Sequence, residues 1–346
     1  MRLFQCSTFV FCVAACFAPV GAASGIFGFV DNAGVFNSLY AISPSTSISI
    51  AQGVNNAGQI VGWYQEADGH GFLDVGGLFA SIDDPLGSAT YADGINNSGQ
   101  IVGTWVDGNT LNGYLYNGYL YSGGVFTPVI DPSATTRTWA SGINDSGQIC
   151  GSYEDASGFF HGFVDTGGSF STVDDPLGIS TLAEGINNAG EIVGYYYDST
   201  WHQHGYLDNG GTFTTIDDPL GVATAAMGIN NTGQIVGWYQ VAAGYPDHGF
   251  LYNGSSFTTI DVPLANGGTE VLGVNDAGVI VGEYTVDTGD YYLPEPSTFA
   301  PALMALALLN YGRKHAAPGL CCVLTRLVTA TQTDLLASLS KGPFRD

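Results

Sequence analysis

Gly94-Ile95-Asn96-Asn97-Ser98-Gly99-Gln100-Ile101-Val102-Gly103 decides the fold, because the chain repeats it. The pattern Gly-(Ile/Val)-Asn-(Asn/Asp)-x-Gly-x-Ile-(Val/Cys)-Gly begins at Gly53, Gly94, Gly142, Gly185, Gly228 and Gly273, with spacings of 41, 48, 43, 43 and 45 residues. A period of this size marks an architecture in which one supersecondary unit is copied. The widest spacing has a visible source, since Asn112-Gly113-Tyr114-Leu115-Tyr116 is followed at once by Asn117-Gly118-Tyr119-Leu120-Tyr121.

Working outward, a second string alternates with the first: Gly-(Phe/Tyr)-(Leu/Val)-(Asp/Tyr)-x-Gly-Gly-x-Phe-x-x-(Ile/Val)-Asp-Asp-Pro-Leu-Gly. It is clearest from Gly71, Gly162, Gly205 and Gly249, and more degenerate from Gly28 and Gly118. Each unit therefore offers four short strands. Asn-x-Gly and Gly-Gly supply the positive-φ turn residues of hairpins, and Asp-Asp-Pro interrupts the ladder because proline cannot donate. Four antiparallel strands in about 43 residues is the size of one propeller blade. The expected fold is all-β, a six-bladed β-propeller over residues 24–293; the alternative is an open β-solenoid, whose terminal units would need caps. The segment 290–293 (Asp-Tyr-Tyr-Leu) aligns with His70-Gly71-Phe72-Leu73 as a seventh copy of one strand. It is expected to latch the ring beside the Phe29 strand or to replace that strand.

The flanks read as addresses. Arg2, an apolar run over 9–18 and the small residues Pro19-Val20-Gly21-Ala22-Ala23 form a secretory signal over 1–23. Val13-Ala14-Ala15-Cys16 leaves lipidation of Cys16 open as a rival reading. At the other end Pro294-Glu295-Pro296-Ser297-Thr298 precedes an apolar stretch over 299–309 and then Arg313-Lys314. At 11 residues that stretch is shorter than the ~20 a bilayer span needs, which suits transient membrane association. Residues 315–346 continue beyond the basic pair and read as an atypical extension, disordered or removed.

These tail residues resemble the PEP-CTERM sorting signal of Gram-negative bacteria. Residues 94–103 with His161-Gly162-Phe163 resemble the extracellular HAF repeat family over roughly 28–282. The resemblance implies recognition by an exosortase, processing at 294–298 and delivery to the cell surface or an extracellular polysaccharide matrix. It implies no particular reaction.

Charge narrows the partners. Of 31 Asp and Glu, only Glu295, Asp334 and Asp346 follow Leu293, which leaves 28 in the repeats against a single base, Arg137. Such a body repels nucleic acid, whose phosphates need a basic patch. Five of the six cysteines lie in the flanks, so Cys150, standing where other copies have Val, has no partner for a disulfide and reads as a small buried hydrophobe.

Candidate chemistry is weighed against blade structure. His70, His161, His204 and His248 share one repeat position, which points to a turn or inter-blade hydrogen bond rather than a catalytic or zinc site. The pairs Asp83-Asp84, Asp174-Asp175 and Asp217-Asp218, with single Asp131 and Asp261 in other copies, would recur on one rim, where Ca²⁺ is the candidate cation. The competing reading has the first Asp capping a turn and the second placed by its proline. Enzyme signatures are missing: one arginine cannot build a sialidase carboxylate clamp, and no nucleophile elbow or phosphate loop is present. Trp63, Trp105, Trp238 and Tyr195 near the Ile-Val-Gly strand suit blade packing or stacking on sugars. The leading expectation is an exported noncatalytic surface or matrix protein, in reach of polysaccharide. The alternative, a secreted polysaccharide hydrolase or lyase, should break the repeat symmetry in one unit.

Overall fold

The computed structural model describes residues 24–39, 48–107, 115–242, 247–263 and 265–287. The regions 1–23, 294–314 and 315–346, and the strand copy at 290–293, lie outside the described residues. Among the described residues there are 24 strands and no helix.

The chain opens with β1 (Gly25–Asn32) and β2 (Val35–Leu39). The first repeat unit follows as β3 (Ser49–Val54), β4 (Gln59–Gln65), β5 (Gly69–Val75) and β6 (Leu78–Ile82). The second is β7 (Ala89–Ile95), β8 (Ile101–Asp107), β9 (Leu115–Ser122) and β10 (Val125–Val129). The third is β11 (Thr138–Ile143), β12 (Gln148–Glu154), β13 (Phe160–Thr166) and β14 (Phe170–Val173). The fourth is β15 (Ser180–Ile186), β16 (Ile192–Tyr197), β17 (Gln203–Asp208) and β18 (Phe213–Ile216). The fifth is β19 (Ala223–Ile229), β20 (Ile235–Gln240), β21 (Asp247–Tyr252) and β22 (Phe257–Ile260), and β23 (Gly268–Val274) with β24 (Val279–Val286) ends the series.

Units one to four are separate four-stranded antiparallel sheets. The remaining strands form one eight-stranded sheet, in which β19–β22 joins the set β23, β24, β1, β2. The joint is a single parallel pair, Asp247 with Gly268, and Gly268 reaches it at φ 123. Six separate sheets are thus replaced by four single sheets and one double one. The architecture is a β-propeller. The first strands β3, β7, β11, β15, β19 and β23 contact one another in turn, and β23 contacts β3. The ring is latched by β1, which pairs with β24 from Gly25↔Val286 to Asn32↔Val279. The Phe29 strand is therefore the closing strand.

The core lies between sheets. Val193 and Ile216 of the fourth unit pack with Ala226, Ile229, Ile235, Tyr239 and Phe250 of the fifth. The same layering joins Cys150 and Val173 to Ala183, Ile186, Ile192, Tyr196 and Tyr206. Each such aliphatic side chain, fully buried, contributes about 1.5–3 kcal/mol. Cys150 is fully buried and free, and burial pushes its thiol pKa up, so it serves as packing rather than as a nucleophile.

Two glycines of the repeat are dictated by geometry. Gly58 and its counterparts hold positive φ in the tight turn, for example 74° at Gly58 and 82° at Gly190. Gly62 and its counterparts lie against the first strand, where a Cβ would collide with a backbone carbonyl such as that of Ile50. The bulge that brings this carbonyl close falls at the same place in every first strand, between Ala51 and Gly53 and its equivalents.

Candidate functional site

In an antiparallel meander successive turns alternate between the two ends of the sheet. The Asn-x-Gly turns all gather at one end of the ring, where their residues surround a cavity of about 70 Å³. Each first asparagine does two jobs. Asn55 Oδ1 accepts the amides of Ala57 and Gln59 at 3.0 Å, fixing its own turn. Its Nδ2 donates to the Asn96 carbonyl of the next unit at 3.1 Å. Asn96 reaches Asn144, Asn144 reaches Asn187, Asn187 reaches Asn230, and Asn230 reaches Asn275 in the same way. Asn275 then donates to the Asn55 carbonyl at 3.0 Å and closes the cycle.

The second residue of each turn builds a parallel cycle that needs only an acceptor. The amide of Asn56 donates to Asn97 Oδ1, and the relay continues through Asp145, Asn188, Asn231 and Asp276 back to Asn56. Asn and Asp both qualify here, whereas only Asn can donate and accept in the first cycle. Asp145 Oδ2 takes side-chain amides from Asn97 and Asn188, and Asp276 Oδ2 takes those of Asn56 and Asn231. Partial burial opposes ionisation of both carboxyls, but these hydrogen bonds outweigh it and hold their pKa below the ordinary range.

The opposite end carries the histidines and the Asp pairs. Of the two roles the sequence offered the histidines, a turn or an inter-blade hydrogen bond, the second does not hold: each meets the first Asp of its own unit. His70 Nδ1 lies 3.1 Å from Asp83, His161 2.7 Å from Asp174, His204 2.8 Å from Asp217 and His248 3.0 Å from Asp261. A tyrosine on the second strand stacks on each imidazole, as in Tyr153–His161 with centroids 5.2 Å apart. The second Asp, not the first, caps the turn. Asp84, Asp131, Asp175 and Asp218 are buried and accept the amides of Leu86, Ser133, Leu177 and Leu220. Adjacent carboxylates thus serve different partners, and no group of three His, Cys, Asp or Glu among the described residues converges on a metal position.

Three departures from symmetry stand out, and of these the sequence had marked only Arg137. The first is an exposed aromatic pair. In the third unit Asp155 Oδ1 holds a turn by accepting the amides of Ser157 and Phe159, and Gly158 takes the positive φ at 82°. The fourth unit builds the same turn on Asp198, but a tryptophan, Trp201, stands at φ 65. A non-glycine residue held there costs roughly 1–2 kcal/mol, and such strain gathers at functional sites. Trp201 is 63% exposed and stacks with Phe159, 37% exposed, at 6.5 Å and 17° between planes. Both anchoring carboxyls are held below their usual range: Asp155 chiefly by the Phe159 amide, Asp198 by the Thr200 hydroxyl to about 2.

The second departure is acidic. Glu270 and Glu283 face each other across β23 and β24, where other units have Ile50 and Trp63 or Leu182 and Tyr195. Burial raises both, to about 9 and about 7; the Glu283 charge and then Asp247 add to the shift of Glu270, and Asp247 to that of Glu283. Asp247 Oδ1 is buried with no hydrogen-bond partner. On the bulges of two other first strands, burial lifts Asp93 to about 8 and Glu184 to about 7. The third departure is Arg137, stacked over Tyr116 at 5.2 Å and Trp139 at 5.9 Å and 3.3 Å from Glu154. Equivalent positions could be found in the sequence, but the pairing of strands from different repeats could not.

No family model matches the chain, and a search of curated proteins returns no match. Solved structures do match. A putative TolB from Agrobacterium tumefaciens is 11% identical, covers 77% of this chain and 100% of its own, and has a TM-score of 0.58. The six-bladed fungal lectin of Aleuria aurantia is 13% identical, covers 70% and 91%, and has a TM-score of 0.42. AofleA from Arthrobotrys oligospora is 11% identical, covers 77% and 84%, and has a TM-score of 0.46. The first likeness shows the fold, a β-propeller, and the two looser ones carry nothing beyond it.

Proposed function

We propose that this chain is an exported, noncatalytic propeller of the outer cell surface or its polysaccharide matrix, and that it binds polysaccharide at the loop end of its ring. The count of six blades belongs to the same reading: the double sheet is two blades joined by one bridge, and six asparagines close the cycle at the opposite end. Export rests on the signal at 1–23. Sorting by an exosortase rests on Pro294, Glu295, Pro296, Ser297 and Thr298, read as a resemblance. The acidic body with its single Arg137 gives nucleic acid no surface.

One observation carries the binding claim: Trp201 occupies the turn position that the neighbouring unit gives to Gly158, and holds its ring exposed beside Phe159. Flat exposed aromatics flanked by carboxylates suit sugar rings, which offer apolar C–H faces and hydroxyl edges. Affinity electrophoresis through gels of neutral bacterial polysaccharide tests it. The full chain should be retarded, and Trp201→Ala should bind at least tenfold more weakly. Trp201→Gly should lose binding equally while gaining stability, since it relieves the positive φ. A wild-type chain that no neutral polysaccharide retards overturns the proposal.

The Glu270–Glu283 pair supports a second reading, a polysaccharide hydrolase, because half-buried opposed carboxyls with raised pKa values suit general acid work. Release of reducing ends by the wild type, abolished in Glu270→Gln, would favour it over simple binding. Calcium enters the proposal only at Asp83, Asp174 and Asp217, whose buried neighbours Asp84, Asp175 and Asp218 already hold turns.

A further inference from the structure

The second unit departs from its neighbours at four positions together. Register makes the comparison direct. Trp105 pairs with Asn117 across β8 and β9, where other units pair Tyr64 with His70, Tyr153 with His161, Tyr196 with His204 and Tyr239 with His248. On the fourth strand Pro128 lies opposite Tyr119. The matching residues elsewhere are Ser81, Thr172, Thr215 and Thr259. Ile130, 47% exposed, stands where those units have the Asp that meets histidine.

The four replacements remove one device. In other units the tyrosine hydroxyl reaches over the third strand to the fourth-strand hydroxyl: Tyr196 to Thr215 at 3.4 Å, Tyr239 to Thr259 at 3.1 Å and Tyr284 to Ser38 at 2.7 Å. Trp105 and Pro128 have no hydroxyls to make this bridge, and Asn117 and Ile130 cannot form the His–Asp pair beside it. A cleft of about 570 Å³ lies here, lined by Asp83, Leu86, Trp105, Tyr121, Phe126 and Pro128 among others. That volume falls within the roughly 300–1,000 Å³ of ligand pockets. The Asp-Pro-Leu-Gly loop of the first unit bounds the cleft, with Gly87 close enough to Trp105 that a Cβ would stand 3.1 Å from the Trp105 Cβ.

We infer that this cleft between the first and second units holds one neutral sugar ring, stacked on Trp105 with its hydroxyls directed to Asp83. The inference rests on the polysaccharide reading above and names a separate subsite for it. Trp105, Tyr121 and Phe126 line it together with Asp83 and Asp84, and no Lys or Arg contributes, so an acidic sugar would meet only repulsion. Asp83 already accepts the Ser81 hydroxyl and lies 3.1 Å from His70 Nδ1. With its charge partly met, it is suited to accept further hydroxyl protons.

The test returns the second unit to the pattern of its neighbours. Trp105→Tyr combined with Pro128→Thr installs the hydroxyl pair found elsewhere, so the full chain should fold with unchanged or higher Tm. Saturation-transfer NMR and calorimetry with methyl glycosides of neutral hexoses should show binding to the wild type. Binding should fall at least tenfold in Trp105→Ala and in the double variant, and persist in Trp201→Ala. A double variant that binds the glycosides like the wild type overturns the cleft. If Trp201→Ala alone abolishes their binding, the cleft falls while the polysaccharide reading stands. Binding of tetramethylammonium but of no hexose glycoside would make the cleft a cation site and overturn the inference. If Trp201→Ala loses polysaccharide but keeps the glycosides, both sites stand as separate subsites.

Discussion

At one end of the ring six turns repeat the same hydrogen bonds, and at the other the units go their own ways. Asn55, Asn96, Asn144, Asn187, Asn230 and Asn275 are all buried and all donate to the next unit. Across the sheet, the fourth unit exposes Trp201, the second loses its histidine, and the last sets half-buried Glu270 against Glu283. A closed cycle tolerates no odd member, since one missing donor strands groups in two neighbouring units. Loops that touch only themselves carry no such constraint. Uniformity therefore marks the end that holds the ring together, and divergence marks the end free to acquire ligands.

The largest effect should come from breaking the uniform end. Asn275→Ala would leave the amides of Ala277 and Val279 without their acceptor and the Asn55 carbonyl with only the Gly58 amide of its own turn. Each buried group left unpaired costs about 1–3 kcal/mol. The expected loss is about 3–5 kcal/mol, which for a domain of this size lowers Tm on the order of 10 °C by thermal denaturation. Asp145→Asn keeps the Oδ1 acceptor used by the Asn97 amide but sets an Nδ2 donor against the Asn97 and Asn188 side-chain amides; on this exposed rim it should cost about 1 kcal/mol, well below the loss at Asn275. Equal losses at both positions would show that the two cycles do not divide the work as described.

Much of this was legible before any coordinates. The Gly-(Ile/Val)-Asn-(Asn/Asp)-x-Gly string repeats because each of its letters has a partner in every unit, so its period carried over to the propeller. Even the Asn/Asp ambiguity at the second position has its cause in a hydrogen bond that asks only for an acceptor. The double sheet was not legible, because it depends on one bridge between Asp247 and Gly268. Nor was the division of labour within Asp174-Asp175, since adjacency in sequence says nothing about two side chains that point to different partners. Trp201 was hidden for a similar reason: only the shared turn around Asp155 and Asp198 reveals that it stands in the place of a glycine.

The next effect sharpens the divergent side. Asp93, Glu184, Glu270 and Glu283 have folded pKa values raised to about 8, 7, 9 and 7, in each case first by burial. In the unfolded chain such carboxyls titrate near 4. The folded state therefore binds more protons from about pH 4 to about 9. Their contribution to stability is full below that window and is lost progressively across it as pH rises, the loss being complete once the folded values of about 7 to 9 are passed. Asp145, Asp155, Asp198 and Asp276, with lowered values, act oppositely and lose their contribution below about pH 4. Tm should peak near pH 5 and fall by roughly 5–10 °C by pH 9. Glu270→Gln should flatten the fall, because it removes the group with the largest shift. A Tm that is level or rising from pH 5 to 9 would mean these carboxyls are ionised in the fold.

The smallest effect concerns calcium, and it separates the two members of each Asp pair. Asp84, Asp175 and Asp218 are buried with their turns, so a cation has access only to Asp83, Asp174 and Asp217, which are exposed beside their histidines. Binding there sets the ion against an imidazole that loses its partner, and one carboxylate supplies few of the six to eight oxygens calcium takes. Such a site is weak. At a calcium concentration equal to its Kd, native-state binding adds only about 0.4 kcal/mol, a rise in Tm of about one degree. Asp174→Asn with Asp217→Asn should abolish that rise, whereas Asp175→Asn should lower Tm with or without the ion, because it weakens the acceptor that caps the Leu177 turn. If calcium at millimolar concentration leaves Tm unmoved in the wild type, the exposed carboxylates belong to their histidines alone. The loop end would then recognise its ligands through aromatic rings and hydroxyl contacts, without a metal.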